Sequence, residues 1–369
     1  MLPCPQAWMM ASNPTSSQAK SREGATWVQA AVSGRRARVP RLRHPLPAEE
    51  PDVVPDLVQV LQSLVVLVFA PLYVGALSRA EAVVASKRGP SVFQPYRDLA
   101  KLLRKGSTIS DQASWVFHAA PFVVFACYLT VSAIVPVITS VPLPLAFLAD
   151  LIGGAFVLTL AAFATALAAM DTASPNGDLG ASRATWIGSL VEPALILVFF
   201  TVGVLSASDN PYLMNHAVRS SPYALVLPAH LLGTLAFFMI VLVENGRIPI
   251  ENPSGSIEIS MIEEGRTLEY SGRLYALMRW GSWMKFFLMS SIFMNVFVLP
   301  WGLDGSAHSL AGALLAVPVL LCKLAVCGLA IVVIDTSFAK LRFFRIAEFV
   351  GSAFLIALIG VVTSYVVSV

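Results

Sequence analysis

The sequence predicts an all-α integral membrane protein of about eight transmembrane helices, and three observations carry that prediction. Of its 369 residues, 56% are hydrophobic and 13% charged, at a mean hydropathy of +0.73, whereas soluble domains carry charge on about a quarter of their residues. The apolar residues fall into continuous runs near the roughly 20 residues that cross about 30 Å of hydrocarbon. Those runs lack the alternation of barrel strands, so helices are the way to satisfy the backbone within lipid.

Residues 1–52 precede the first run and are rich in Pro, Ser and Ala without periodicity, which reads as a disordered extension. Arg35, Arg36, Arg38, Arg41 and Arg43 have no apolar stretch after them, as a signal peptide requires. HPLPAEEPD follows instead, which also argues against a twin-arginine signal. Translation starting nearer Val53 is the expectation, leaving 53–369 as the membrane domain.

The runs lie at about 56–77, 115–138, 145–170, 184–206, 224–243, 281–300, 309–334 and 346–368. Cytoplasmic loops retain Lys and Arg. The first loop carries Arg79, Lys87, Arg88, Arg97, Lys101, Arg104 and Lys105, and the third carries Arg183. The fifth carries Arg247, Arg266, Arg273 and Arg279, and the seventh Lys340, Arg342 and Arg345, while the even loops offer Arg219. Odd loops are therefore expected in the cytoplasm and both termini outside.

In the first loop, PSVFQPYRDLAKLLRKG predicts an amphipathic helix from Pro95 to Gly106. Tyr96, Leu99, Leu102 and Leu103 share one face, and Arg97, Lys101, Arg104 and Lys105 the other. With Gln94 and Asp98 at its start, the helix suits a membrane surface or a partner subunit, and equally a basic loop held by lipid phosphates.

Ionisable groups in or beside spans cost about 2.5–3.5 kcal/mol at a helix centre, so each invites a functional reading. Lys323 lies near the middle of the seventh run and Glu192 two turns into the fourth. Asp171, Glu244 and Asp335 each close an odd-numbered run, and Lys285 opens the sixth, near enough to water to snorkel. Together these four carboxylates and two lysines form a candidate proton path. His230, alone on an apolar face, reads as a hydrogen-bonded structural histidine ahead of a proton carrier. DTASPNGDLGASR at 171–183 and DTSFAKLRFFRIAE at 335–348 read as polar loops, either functional or ordinary interfacial basic loops.

VENGRIPIENPSGSIEISMIEEGRTLEYSG, residues 243–272, holds six glutamates. An anionic loop gains nothing from an anionic leaflet and should fold against protein. Asn252–Pro253 reads as a helix start and Ser260 to Glu263 has capping-box spacing. A solvated loop, or one bridged by Arg247, Arg266 and Arg273, is the plainer reading. Cys4, Cys127, Cys322 and Cys327 show no metal or disulfide pattern, and there is no dinucleotide or phosphate-loop fingerprint. Any redox cofactor must belong to another chain, and nothing points to nucleic acid.

VENGRIPIEN followed by LEYSG resembles the subunit 1 family of respiratory complex I and its relatives in membrane-bound [NiFe] hydrogenases. The likeness runs through FQPYRDLAKLL, GASR, EPALIL, LMRWGSWMKFFLMSSIFMNVFVLPWG and AKLRFFRIAEF, covering about residues 55–369. IEISMIEEGRTLEYSG and AKLRFFR are similar to the hydrogenase branch, the membrane anchors of formate hydrogenlyase and energy-converting hydrogenases. Departures from that pattern are Gly255 and Ser256 for Thr and His, Glu263 for a second His, Asp178 for Gly, Ala184 for Glu, and Asp335 for Glu.

The resemblance implies a cofactor-free subunit of an oxidoreductase complex in a bacterial inner membrane, coupling electron transfer to proton translocation. Its implied partners are hydrophilic large and small subunits bearing [NiFe] and Fe–S clusters, antiporter-like membrane subunits and lipid. By position, Glu192, Glu244, Arg247 and Glu251 correspond to the quinone-side pathway, and Glu258, Glu263, Glu264, Glu269 and Tyr270, with Arg247, to the docking loop. A complex I-type quinone reductase subunit is the alternative implied. A stand-alone ion transporter would need inverted repeats or broken helices with a midplane site, and no internal repeat is visible.

Overall fold

The computed structural model describes residues 53–145, 150–220, 222–247, 262–303, 310–339, 341 and 343–368. The N-terminal extension, Glu251, Glu258, Lys340 and Arg342 lie outside the described residues. In chain order the helices are α1 (Val53–Val84), α2 (Gln94–Arg104), α3 (Trp115–Ile134), α4 (Leu151–Met170) and α5 (Pro175–Ser206). They continue with α6 (Pro211–Ser220), α7 (Pro228–Glu244), α8 (Gly272–Ile292), α9 (Leu310–Ser337) and α10 (Phe343–Ser368).

Among the described residues, seven helices are long and apolar enough to cross a membrane: α1, α3, α4, α5, α8 with its continuation, α9 and α10. The fifth predicted run, 224–243, gives only the 17-residue α7. At 1.5 Å per residue α7 spans about 25 Å. Pro222 and Pro228 account for the shortening: the first opens a separate 3₁₀ turn, Pro222–Val226, and the second resets the helix start.

Local chemistry sets several ends. The Ser114 hydroxyl accepts from the Val116 amide to cap α3, and the Asp150 carboxylate accepts from Ile152 to cap α4. The second run stops at Ile134 instead of 138 because Pro136 cannot continue the ladder. The stretch 171–183, expected as a loop, instead forms a short turn and then the first turns of α5, with Pro175 at its start.

The bundle forms around α8, whose apolar window is 89% buried against 28–50% for the other six long helices. Helices α1, α2 and α3 pack on α8, α9 packs on α1, and α3, α4 and α5 follow as neighbours. Helix α10 lies against α5 and α7. Polar residues on α8 therefore face protein and need partners. Its last turn widens into a π-helical segment, Phe293–Val298, which swings Asn295 inward.

Candidate functional site

Two ion clusters line one open cavity of about 620 Å³ at the end of the bundle where α1, α7 and α9 finish and α8 begins. In the first, Lys285 of α8 bonds the Glu244 carboxylate at 2.7 Å and the Glu244 backbone carbonyl at 2.6 Å. Glu263 lies 3.9 Å from the same ammonium and 2.5 Å from Arg266. In the second, Arg247 reaches Glu81 at 2.6 Å and Asp335 at 3.4 Å. Its guanidinium also lies 4.8 Å from the centre of the Phe286 ring. Arg279 bonds Glu264 at 3.3 Å on the rim.

The chain delivers these groups from separate elements. Helix α7 ends at Glu244 and the chain turns at Asn245–Gly246, with Gly246 at φ +56, so that Arg247 doubles back toward α1 and α9. The Arg247 amide donates to Leu242, closing that turn. Residues 262–270 return as a compact turn containing the 3₁₀ segment Gly265–Thr267, which packs on α5. A Cβ on Gly180 would sit 2.8 Å from the backbone carbon of Gly265 and 2.9 Å from the Arg266 amide nitrogen. Gly180 is thus what lets the acidic segment touch α5.

Burial opposes ionisation of Glu263, but Arg266 and Lys285 outweigh it and hold the carboxyl below the ordinary range. Burial likewise opposes the charge on Arg266, and Glu263 more than restores it. A pocket of about 50 Å³ continues beyond Glu244, Glu263 and Lys285 to Glu192 on α5. Carboxylates from four helices and one loop therefore lie around adjoining pockets with three buried cations, Arg247, Arg266 and Lys285.

Of the residues expected on a proton path, Glu192, Glu244, Lys285 and Asp335 gather here. Asp171 does not: its carboxylate accepts from the Ser114 and Phe117 amides at 2.7 and 3.3 Å, securing the start of α3. Burial works against the charge on Asp171, and the Ser114 bonds overcome it, leaving the carboxyl below its usual range. Lys323 also stands apart, twelve residues before Asp335 on α9, or roughly 18 Å along the axis. Its ammonium is buried, donating to Asn295 Oδ1 at 2.9 Å and to the Leu299 carbonyl at 2.8 Å. Lys285 is buried and paired rather than snorkelling. His230 bonds the Phe297 carbonyl at 2.8 Å within the packed interior.

The described residues expected on the docking loop take several positions. Glu263, Glu264 and Arg247 turn into the cavity. Tyr270 is buried, stacked on Phe117 at 4.0 Å with its hydroxyl donating to the Phe117 carbonyl, and burial raises its pKa. Glu269 is exposed. The amphipathic helix appears as α2, with Pro95 and Leu99 buried, Arg97, Asp98 and Lys101 outward, and Gln94 donating to Asp98 at 2.9 Å.

Sequence reasoning missed Glu81. Its signal was faint: it is the lone acid between Arg79 and Arg88, an anion set among cations beside the membrane.

Comparison with known proteins agrees with this architecture. Residues 58–365 match the family described as NADH dehydrogenase. The chain is 34% identical over 286 residues to formate hydrogenlyase subunit 4 of Escherichia coli, covering 78% of this chain and 91% of that one. It is 30% identical to hydrogenase-4 component C of the same organism, covering 80% and 91%. It is 28% identical to a subunit of the NADH-quinone oxidoreductase of Neorickettsia sennetsu, covering 68% and 77%. In fold it is similar to a chain of the membrane-bound sulfane sulfur reductase, an archaeal respiratory membrane complex, at TM-score 0.70 and 20% identity, covering 84% of this chain and 99% of that one.

Proposed function

Because this multi-pass chain belongs to the NADH dehydrogenase family, on the branch with formate hydrogenlyase subunit 4 and hydrogenase-4 component C, we propose that it is the membrane anchoring and coupling subunit of a hydrogenase-like complex. In this reading it sits in the bacterial inner membrane with odd loops cytoplasmic and both termini outside. A hydrophilic module bearing [NiFe] and Fe–S clusters docks over the cavity, and antiporter-like subunits lie beside it in the membrane. Residues 1–52 are an extension outside the working membrane domain, 53–369.

The single observation that carries the reading is that two ion clusters, Glu81–Arg247–Asp335 and Glu244–Lys285–Glu263, lie side by side at one cavity. Negative charge arriving in a module at the cavity mouth raises the proton affinity of nearby carboxylates. Glu244 then takes up a proton, Lys285 loses a counter-charge, and the remaining pairs rearrange. Glu192, one pocket further in, is the next acceptor. Reversal when charge leaves the module releases the proton, so electron movement outside the membrane drives proton movement within it.

Purification in mild detergent tests the assembly: the chain should leave the membrane with nickel and iron in stoichiometric partners. Its isolation as a metal-free single chain, under conditions that keep such complexes whole, contradicts the reading. A second reading, a quinone reductase subunit, draws on the cavity itself, whose volume lies in the range of small-molecule sites and whose wall includes Val74, Trp283 and Phe286. Inhibition of the assembled complex by a quinone analogue, relieved by Phe286→Ala, favours that second reading.

A further inference from the structure

We propose that the outward face of α2 is a binding site for anionic phospholipid headgroups, with their acyl chains running past Phe93. The inference rests on depth and on charge. The start of α2 is pressed against α1 inside its apolar stretch: a Cβ on Gly75 would lie 2.1 Å from the Val92 carbonyl and 3.0 Å from Pro95 Cδ. The Tyr96 hydroxyl donates to the carbonyl of Val68, a further seven residues into α1. No charged residue occurs between Asp56 and Arg79, so both contacts lie on the hydrocarbon side of the first cation after the span. An α2 seated there lies in the plane of the interface.

The outward face carries two kinds of group at two levels. Phe93 is 61% exposed and Leu103 41% exposed, beside the buried Pro95 and Leu99. Arg97, Lys101 and Arg104 form one exposed stripe at spacings of four and three residues. Among the described residues none of the three ion-pairs with a carboxylate. Lys87, Arg88 and Lys105, also exposed, flank them, and Asp98 is the only acid between Lys87 and Lys105. At the helix C-terminus Arg273 of α8 donates to the Leu103 carbonyl at 3.3 Å, holding α2 in place.

A water-soluble partner reaches the basic stripe but not an aromatic ring at acyl depth. A phospholipid reaches both, and an anionic headgroup complements the excess of cations. The choice left open by the amphipathic sequence is thereby made by where Val92, Pro95 and Tyr96 sit on α1.

The test is native mass spectrometry of the full chain after exchange into mixed phosphatidylglycerol and phosphatidylcholine. Each basic residue at an anionic surface contributes a factor of about five, so three give a preference of roughly a hundredfold at low salt, shrinking as salt screens it. R97Q/K101Q/R104Q should remove most of the preference, while R97K/R104K keeps most of it, and neither change touches the buried face that holds α2. Equal retention of the two lipids by the wild type overturns the proposal, as does an undiminished preference in the triple variant. Displacement of phosphatidylglycerol by equimolar inorganic phosphate overturns it in favour of a free phosphate site. A triple variant that keeps its lipids but loses a co-purifying soluble subunit overturns it in favour of protein docking.

Discussion

Lys285 on α8 holds Glu244 on α7 twice, through the carboxylate at 2.7 Å and through the main-chain carbonyl at 2.6 Å. The lysine therefore fixes the end of α7 as well as neutralising its acid, and two consequences separate. Lys285→Gln removes the charge while leaving an amide able to reach the carbonyl. Lys285→Ala removes both and leaves a half-buried Glu244 without its cation, at a cost of about 3 kcal/mol or more. Thermal unfolding in detergent should rank wild type above Lys285→Gln above Lys285→Ala, and equal melting of the two variants would discount the backbone contact.

Arg247 joins α1 to α9 by meeting Glu81 and Asp335 with one guanidinium nitrogen. Lysine offers a point charge in place of the planar fork and loses the stacking on Phe286. A double-mutant cycle on Glu81→Gln and Arg247→Gln should give a coupling of about 1–2 kcal/mol, since the pair is partly buried. Additive losses would mean that the contact carries no energy of its own.

Glu263 gives the protein a pH dependence with a definite sign. Its folded pKa is depressed, burial being outweighed by Arg266 and Lys285, so its contribution is fully present above the unfolded carboxylate value near 4.3 and is lost as pH falls through the folded value. Melting temperature should fall as pH is lowered from about 5, and Glu263→Gln should make that fall shallower. An unchanged slope would remove Glu263 from the linkage.

Gly180 is the contact point of α5 with the Gly265–Arg266 backbone, where a methyl group would come within 2.8 Å of main-chain atoms. Backbone cannot move aside as a side chain can, so Gly180→Ala should lift the 262–270 segment from α5. Limited proteolysis should then cut near Arg266 faster than in wild type, and resistance equal to wild type would show that the segment is held elsewhere.

Asp171 tests a division of labour among the acids. Its two bonds to the Ser114 and Phe117 amides make it a second cap of α3 beside Ser114, so Asp171→Asn should lower stability by about 1 kcal/mol. Proton coupling per electron should stay unchanged in that variant, and a loss of coupling at full stability would return Asp171 to the proton path.

The membrane runs were legible because hydrocarbon imposes both a length and a composition, and a helix core stands at each of the eight predicted runs. Their ends were not. Helices α1 and α5 each run for 32 residues, because SRAEAVV and PNGDLGASR continue the helix in polar surroundings that hydropathy does not register. The π turn at Phe293–Val298 has no sequence signal, although it places Asn295 against the Pro136 and Val137 carbonyls and Lys323. Apart from Glu81, residues of the site were legible one by one, as costly charges beside apolar runs. Their grouping was not: Arg247 and Glu81 are 166 positions apart, and charge alone could not tell that Glu263 and Glu264 turn inward while Asp171 caps a helix.

Proton translocation by the intact complex in proteoliposomes, measured with Glu244→Gln against wild type at matched electron-transfer rates, tests the coupling role most directly. The amide fills the same space and reaches Lys285 but cannot take up a proton, so electron transfer should persist while acidification per electron falls at least tenfold, about 1.4 kcal/mol or more in the coupled step. Full acidification by Glu244→Gln would contradict the account and move the coupling out of this cavity.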